Sequence, residues 1–371
     1  MKTALFLGAG ASKAFGYPLT SELLPRILQR LKDGILFNGA NTRGQNEEDR
    51  EWFRTSLFWF FPGLADSVKA QQTPDAVLGV GITDLLTLVD RALLYGESRA
   101  GMSPEEIGRF RDLLERAIYE ALLRQNQREN PKSLALLRKF MAWLRSLEGS
   151  TGIITTNYDR AVDLQLFRQV AGKGKDRQRP VEQRVDFGFP WRRVRGGALV
   201  PRPAKPKCQL LKLHGSVNWL KCSLCGQIYL NVTETAGPTA FARRLDKWNT
   251  CHCNGWTRLR LHLVTPSFVR QTNDAHLLGI WQAALERLRT ADHWVIMGYS
   301  LPPEDVAIRS LFLRAWDGHR HKSKLKITVV QTATPWTEKI YRAFFPTENL
   351  IYRNDEVKGF VEQPEAPPGQ D

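Results

Sequence analysis

Near its amino end the chain reads FLGAGASKAFGYP, Phe6 to Pro18. Gly8, Gly10 and Ser12 form a G-x-G-x-S element directly after a short apolar run. Gly8 permits a tight turn, and Gly10 lets the backbone approach a pyrophosphate that a Cβ would exclude. N–H groups at the start of a following helix favour negative charge there. The strict dinucleotide fingerprint G-x-G-x-x-G is not matched, because the next glycine, Gly16, comes late. Asp33 lies near the spacing of a ribose-binding acid, but it ends a helical pattern and not a second strand. A purely structural glycine turn is the other reading of this element.

Three further stretches put polar groups just past apolar, strand-like runs. In TTNYD, Asn157 and Asp159 sit where doubly wound folds hold ligands, and an amide can position water or a hydroxyl as donor and acceptor. Helix capping by either residue is the competing role. In KLHGSVNW, His214 precedes Gly215, and an imidazole accepts protons near neutral pH. In VIMGYSL, Gly298 and Ser300 repeat the arrangement. Four such strand ends can converge on one crevice, which weighs more than any one of them.

Five cysteines are present, and four fall as C-x2-C, 25 residues, then C-x-C: Cys222, Cys225, Cys251 and Cys253. Two close thiolate pairs suit a tetrahedral, structural zinc ion. The second pair has a single spacer, His252, so its imidazole competes as a ligand. Reduced cysteines without metal are the alternative.

These residues need a frame. TALFLGAG reads as a buried strand entering a turn, and TSELLPRILQRLKD has helical apolar spacing. Strand-like runs recur at TGIITT, CQLLKLHGS, RLRLHLVTPS, DHWVIMGYSL, KLKITVVQ and NLIYR, with helical patterns between most of them. The alternation predicts an α/β fold: a doubly wound, Rossmann-like parallel sheet with a helical insertion and a small zinc-binding module. Residues 1–37, 150–215 and 258–361 are expected to form the nucleotide-binding domain, 38–149 the helical insertion and 216–257 the zinc module. Residues 172–207 read as a long loop and 362–371 as a disordered tail.

Hydrophobic content of 42% and charged content of 25% are those of a globular protein, and 371 residues suffice for a large core. No apolar run approaches the roughly 18 residues of a membrane span, and the amino end does not read as a signal peptide; a cytoplasmic protein is expected. The net charge of +15 fits a solvated surface or a polyanionic partner such as nucleic acid.

Taken in order, FLGAGASKAFGYP, TTNYD, LHGS, the paired cysteines and MGYSL resemble the sirtuins, over most of the chain outside the helical insertion and tail. The likeness is closest to sirtuin-like NADases of prokaryotic antiphage defence systems. It implies that Gly8, Ala9, Gly10 and Ser12 hold the phosphate and ribose of NAD. Asn157 and Asp159 would sit beside the nicotinamide ribose, His214 would be the base, and Gly298 and Ser300 would contact the adenosine side. Where deacylase sirtuins carry an FGE-type, peptide-binding segment after the zinc module, this chain has LVTPSFVRQ. The late asparagine of the family is replaced nearby by Gln331. The implied activity is therefore NAD glycohydrolysis, releasing nicotinamide and ADP-ribose. A homo-oligomer and a partner such as a HerA-type ATPase are implied as controls. An NAD-dependent deacylase, a sensor of NAD or ADP-ribose without turnover, and a nucleic-acid-binding module remain the alternatives. The aromatic run Trp52, Phe53, Phe58, Trp59, Phe60 and Phe61 reads equally as an assembly surface or as core.

Overall fold

The computed structural model describes residues 2–38, 43–64, 80–99, 101–123, 130–147, 151–170, 184–194, 197–231, 236–242, 245, 247, 249–269, 274–332, 334 and 336–364. The chain forms two compact units. The first comprises Met1–Tyr17, Asn126–Leu263 and Thr272–Asp371; the second comprises Pro18–Gln125 and Val264–Gln271. No helix of the described residues is long and apolar enough to cross a membrane.

Twelve strands are described, all in the first unit. β1 (Thr3–Leu7), β2 (Thr151–Thr155), β3 (Val185–Asp186), β4 (Trp191–Arg193), β5 (Leu199–Val200) and β6 (Cys208–Lys212) come first. β7 (Gly215–Cys222), β8 (Ile228–Leu230), β9 (Leu259–Leu263), β10 (His293–Met297), β11 (Lys326–Val330) and β12 (Leu350–Arg353) follow. Seven of them make one sheet in the order β12-β11-β10-β1-β2-β6-β3, with every pair parallel. Every residue of β1 and of β10 is buried. Successive side chains point to opposite faces, so both faces of the sheet centre are covered. Ala275–Arg289 packs on Val306–Asp317, and Pro131–Ser146 packs on Ala161–Val170 and Val357–Glu362. This is the doubly wound α/β fold that the alternating pattern implies. β2 and β10 flank β1 on opposite sides, so the order reverses at β1, the place where such sheets bind ligands.

Two segments differ from the sequence expectation. The helix after the glycine turn is Ala9–Ala14, ending just before Phe15, Gly16 and Pro18; Leu23–Lys32 lies in the second unit and packs on Pro104–Leu122. The charge-rich stretch read as a long loop contains β3, β4 and β5 within its described part. Buried Phe187, Phe189 and Trp191 hold it down, with Phe187 and Phe189 edge-on to Trp219. Asp186 anchors it further through Arg202 (3.0 and 2.8 Å), Gln209 (3.1 Å) and the Gly188 N–H (2.9 Å). Burial alone would raise this carboxyl, yet those donors hold it below its usual value.

A second sheet, in the order β5-β4-β8-β7-β9, carries the cysteine segment. RLRLHL is a strand, but it pairs antiparallel with β7 in this sheet and not in the parallel one. The second unit is helical among its described residues. Its core stacks Phe37, Phe53, Phe60 and Phe110, so Phe53 and Phe60 of the aromatic run are core, while Trp59 is exposed. The proline-rich end, 365–371, lies outside the described residues.

The seam at β1 and β10 depends on glycine. Gly8 N–H donates to Met297 O at 2.9 Å, and Gly10 N–H donates to Gly298 O at 2.8 Å. A Cβ on Gly8 would lie 2.5 Å from Gly298 O, and one on Gly298, whose φ is +61°, 2.1 Å from Ala11 N. Gly298→Ala is expected to lower stability by about 2–5 kcal/mol, from left-handed strain plus backbone overlap, read as a lower urea midpoint. An unchanged midpoint would contradict the contact.

Candidate functional site

The loops after β1, β2, β6 and β10 meet at the carboxyl edge of the parallel sheet. Asn157 Nδ2 donates to Gly8 O at 2.8 Å, and its own N–H donates to Thr155 Oγ1 at 3.0 Å. Thr155 Oγ1 in turn donates to Leu7 O at 2.9 Å, so β2 fixes the amide against the glycine turn. Among the described residues, the Asn157 side-chain oxygen accepts no bond and is available to a ligand. The Ser12 hydroxyl donates to Asp159 Oδ2, and Asp159 Oδ1 accepts the Ala161 N–H at 2.8 Å. Asp159 thus caps the helix Ala161–Val170 and ties it to the helix Ala9–Ala14, with both carboxylate oxygens already engaged.

His214 sits where the chain leaves the parallel sheet for the antiparallel one, between β6 and β7. It is 6% exposed, with its ring centroid 6.3 Å from those of Tyr158 and Trp281. Leu213 N–H donates to Thr155 O at 2.9 Å, and Trp281 Nε1 donates to Leu213 O at 3.2 Å, which sets the height of the turn. Gly215, at φ +77°, follows at once; a Cβ there would lie 2.1 Å from His262 O. The backbone therefore turns sharply enough to leave His214 at the strand end.

The structure thus joins Gly8, Gly10, Ser12, Asn157, Asp159 and Gly298 directly, with Ala9 within the same turn and His214 on the adjoining loop. Ser300 is exposed and stands outside this set of hydrogen bonds. The Gly8 and Gly10 N–H groups are spent on the β10 loop, so an incoming phosphate would need other donors. Sequence reading missed Lys212, Thr155, Tyr158 and Trp281. Lys212 left one signal: a lone cation in the apolar run CQLLKL, placed at the end of the strand.

Cys222, Cys225, Cys251 and Cys253 gather with all sulfurs within 4.8 Å of one another. Cys222 and Cys253 Sγ are 3.9 Å apart, and Cys225 and Cys251 Sγ are 3.5 Å apart. Four thiolates on a tetrahedral ion at about 2.3 Å would stand about 3.8 Å from each other, so the set fits one metal ion. The two knuckles share one turn. Gly226 N–H donates to Cys222 O at 3.0 Å, Gly255 N–H donates to Cys251 O at 2.8 Å, and both glycines have φ +72°. Each glycine stands four residues after its first cysteine, so the single spacer in C-x-C moves the ligand along a turn of unchanged size. His252 Nδ1 bonds the Tyr229 hydroxyl and also lies 3.7 Å from Cys251 Sγ, beside the four-sulfur set. Burial pushes the Cys251 thiol up, but the Tyr229 hydroxyl and the Cys253 N–H bring it down to about 7.

No protein-family model matches the chain, and no curated protein matches it. Solved structures do resemble it. A Sir2 homologue in complex with NAD gives a TM-score of 0.37 at 14% identity over 97% of this chain and 86% of that one. A Sir2 with a p53 peptide and NAD+ gives 0.36 at 15% identity, over 97% and 90%. A structure on sirtuin substrate affinity gives 0.37 at 16% identity, over 98% and 92%. At these scores the likeness carries no argument for this chain, whose fold stands on its own strand order and register.

Purified under metal-replete conditions, the chain is expected to carry one metal ion that a strong chelator removes. Removal should lower Tm by about 10 °C, the shift that several kcal/mol gives. Elemental analysis with thermal unfolding checks both, and a metal-free chain of unaltered Tm would count against the site.

Proposed function

We propose that this chain is a sirtuin-like NAD glycohydrolase, with Asn157 and His214 as its catalytic residues. The observation that carries the reading is their placement: an amide and an imidazole on the adjoining loops of β2 and β6, beside the glycine turn at the point of order reversal. A dinucleotide laid across that point would put its pyrophosphate near Gly8, Ala9, Gly10 and Ser12, and its adenosine side towards Gly298 and Ser300. Since the Gly8 and Gly10 N–H groups are engaged, close backbone approach is what those glycines would contribute.

In the reaction, the bond from the anomeric carbon to the nicotinamide nitrogen breaks, and its electron pair leaves with nicotinamide, which departs neutral. The carbon takes on oxocarbenium character, and a water oxygen bonds to it. The Asn157 carboxamide oxygen would hold that water or the ribose hydroxyls. His214 would accept the proton that the water loses, directly or through a hydroxyl; general-base help of this kind contributes about 10²–10⁴-fold. The products are nicotinamide, ADP-ribose and a proton.

Zinc fits the four sulfurs, held by Cys222, Cys225, Cys251 and Cys253. Four protein ligands leave no open position, so its contribution when bound is to fold the module. A role as the toxic effector of an antiphage defence system, as a homo-oligomer controlled by a HerA-type ATPase, rests on the sequence resemblance alone.

The test is nicotinamide release from NAD by the purified full chain, with and without added DNA. Asn157→Ala and His214→Ala are each expected to lower kcat by about 10²-fold or more. Asn157→Ala should also cost about 1 kcal/mol of stability, for the lost bond to Gly8. Full turnover in both variants ends the proposal. Consumption of NAD only when an acylated peptide is present moves the reading to a deacylase.

A further inference from the structure

We infer that Lys212 is a positioning residue that sets how the Asn157 and His214 loops face each other; this rests on the reading that those loops carry the reaction. Lys212 ends β6 and is 1% exposed. Its ammonium group has three N–H donors and finds three acceptors: Asp159 O, Asp163 Oδ2 at 3.0 Å and Ser216 Oγ at 2.7 Å. These lie on three segments: the loop after β2, the helix Ala161–Val170, and β7.

Two consequences follow for His214. Lys212 and Ser216 flank it two residues to either side, so the bond between them closes a ring of chain with the imidazole at its apex. The ring is also pinned to the neighbouring loop. Tyr158 O accepts from Ser216 Oγ at 3.2 Å and from the Val217 N–H at 3.0 Å, and Asp159 O accepts from Lys212. Residues 157–159 and 212–217 are thereby held as one piece. Asn157 is the first residue of the pinned segment, and Asp159 passes the link on to Ser12.

Stability alone does not account for this group. A buried ion pair is often no more stabilising than two apolar side chains of like volume, because both charges must leave water. Asp163 Oδ1 is buried and finds no partner among the described residues, which is a further cost. An apolar pair would fill the space without supplying three directed bonds. Those directions are what the ammonium adds.

The test uses the full chain. Lys212→Met alone leaves Asp163 charged and unpaired in the core, so the informative variant is Lys212→Met with Asp163→Leu, which removes both charges. It is expected to unfold as cooperatively as the wild type. Amides of 157–161 and 213–217 should exchange about tenfold faster, kcat for nicotinamide release should fall about tenfold or more, and KM for NAD should stay within about threefold. Should that variant not fold, Ser216→Ala opens the ring around His214, leaves the ion pair intact, and carries the same test with the same signs. Wild-type exchange rates in the folded variant overturn the inference, as does accelerated exchange with unaltered kcat. A wild type that releases no nicotinamide, while the variant's loops still exchange faster, sinks the glycohydrolase reading and leaves the joining role of Lys212 standing.

Discussion

The first unit turns on the contact between two backbones at the middle of its parallel sheet. β1 and β10 run side by side, and each emerges into a loop that must bend without colliding with the other. Gly8 and Gly10 on one side and Gly298 on the other leave room for N–H to carbonyl bonds across the seam, where any Cβ would overlap backbone atoms. The glycine cluster is therefore required by the protein's own packing. The Gly8 and Gly10 N–H groups are committed to that seam, which fixes the shape of the turn.

Around that seam the strand ends are joined by polar bonds between distant parts of the sequence. Ser12 reaches Asp159, Asn157 reaches Gly8, and Lys212 reaches Asp159, Asp163 and Ser216. Buried bonds of this kind add little net stability each, but leaving one of them unmade is expensive. They suit a place where direction matters more than energy. Apolar packing of β1 and β10 supplies the driving force, and the polar bonds choose one arrangement of the loops that the packing alone would leave loose.

How much of this was legible in the sequence depends on how local each signal is. Six of the seven strands of the parallel sheet, all but β3, were readable as apolar runs; TALFL and HWVIM also end abruptly in glycine. The cysteine pairs were readable because a knuckle is a local turn. β3, β4 and β5 were hidden, since two or three residues of strand cannot show a period, and Phe187, Phe189 and Trp191 are scattered through charge. Their anchor, Asp186 with Arg202 and Gln209, exists only after folding. The same holds for Lys212: one cation in an apolar run says that something is unusual, but its acceptors lie up to 53 residues away in the chain. Asp159 suits helix capping and a ligand role equally by sequence; in the fold its carboxylate is engaged with Ala161 and Ser12. Asn157 differs, because only its amine side is taken, by Gly8.

The cysteine module belongs to the same mechanical scheme through β7. That strand begins at Gly215, beside His214, and ends on Cys222. Eight extended residues span about 20 Å or more, so an ion bound among the four sulfurs would stand too far from His214 to contact it. It would act on the far end of the strand instead. β7 pairs with both β8 and β9, and the two knuckles lie where β7 hands over to β8 and where the chain returns into β9. Clamping the knuckles would fix the antiparallel sheet at one end, while Lys212, Ser216 and Tyr158 fix β7 at the other. A strand held at both ends cannot slide in register, and a slip of one residue would turn every side chain of β7 to the opposite face. With an ion bound, the four cysteines and the buried ammonium would do one job from two ends: they would hold the strand that follows His214 in a single register.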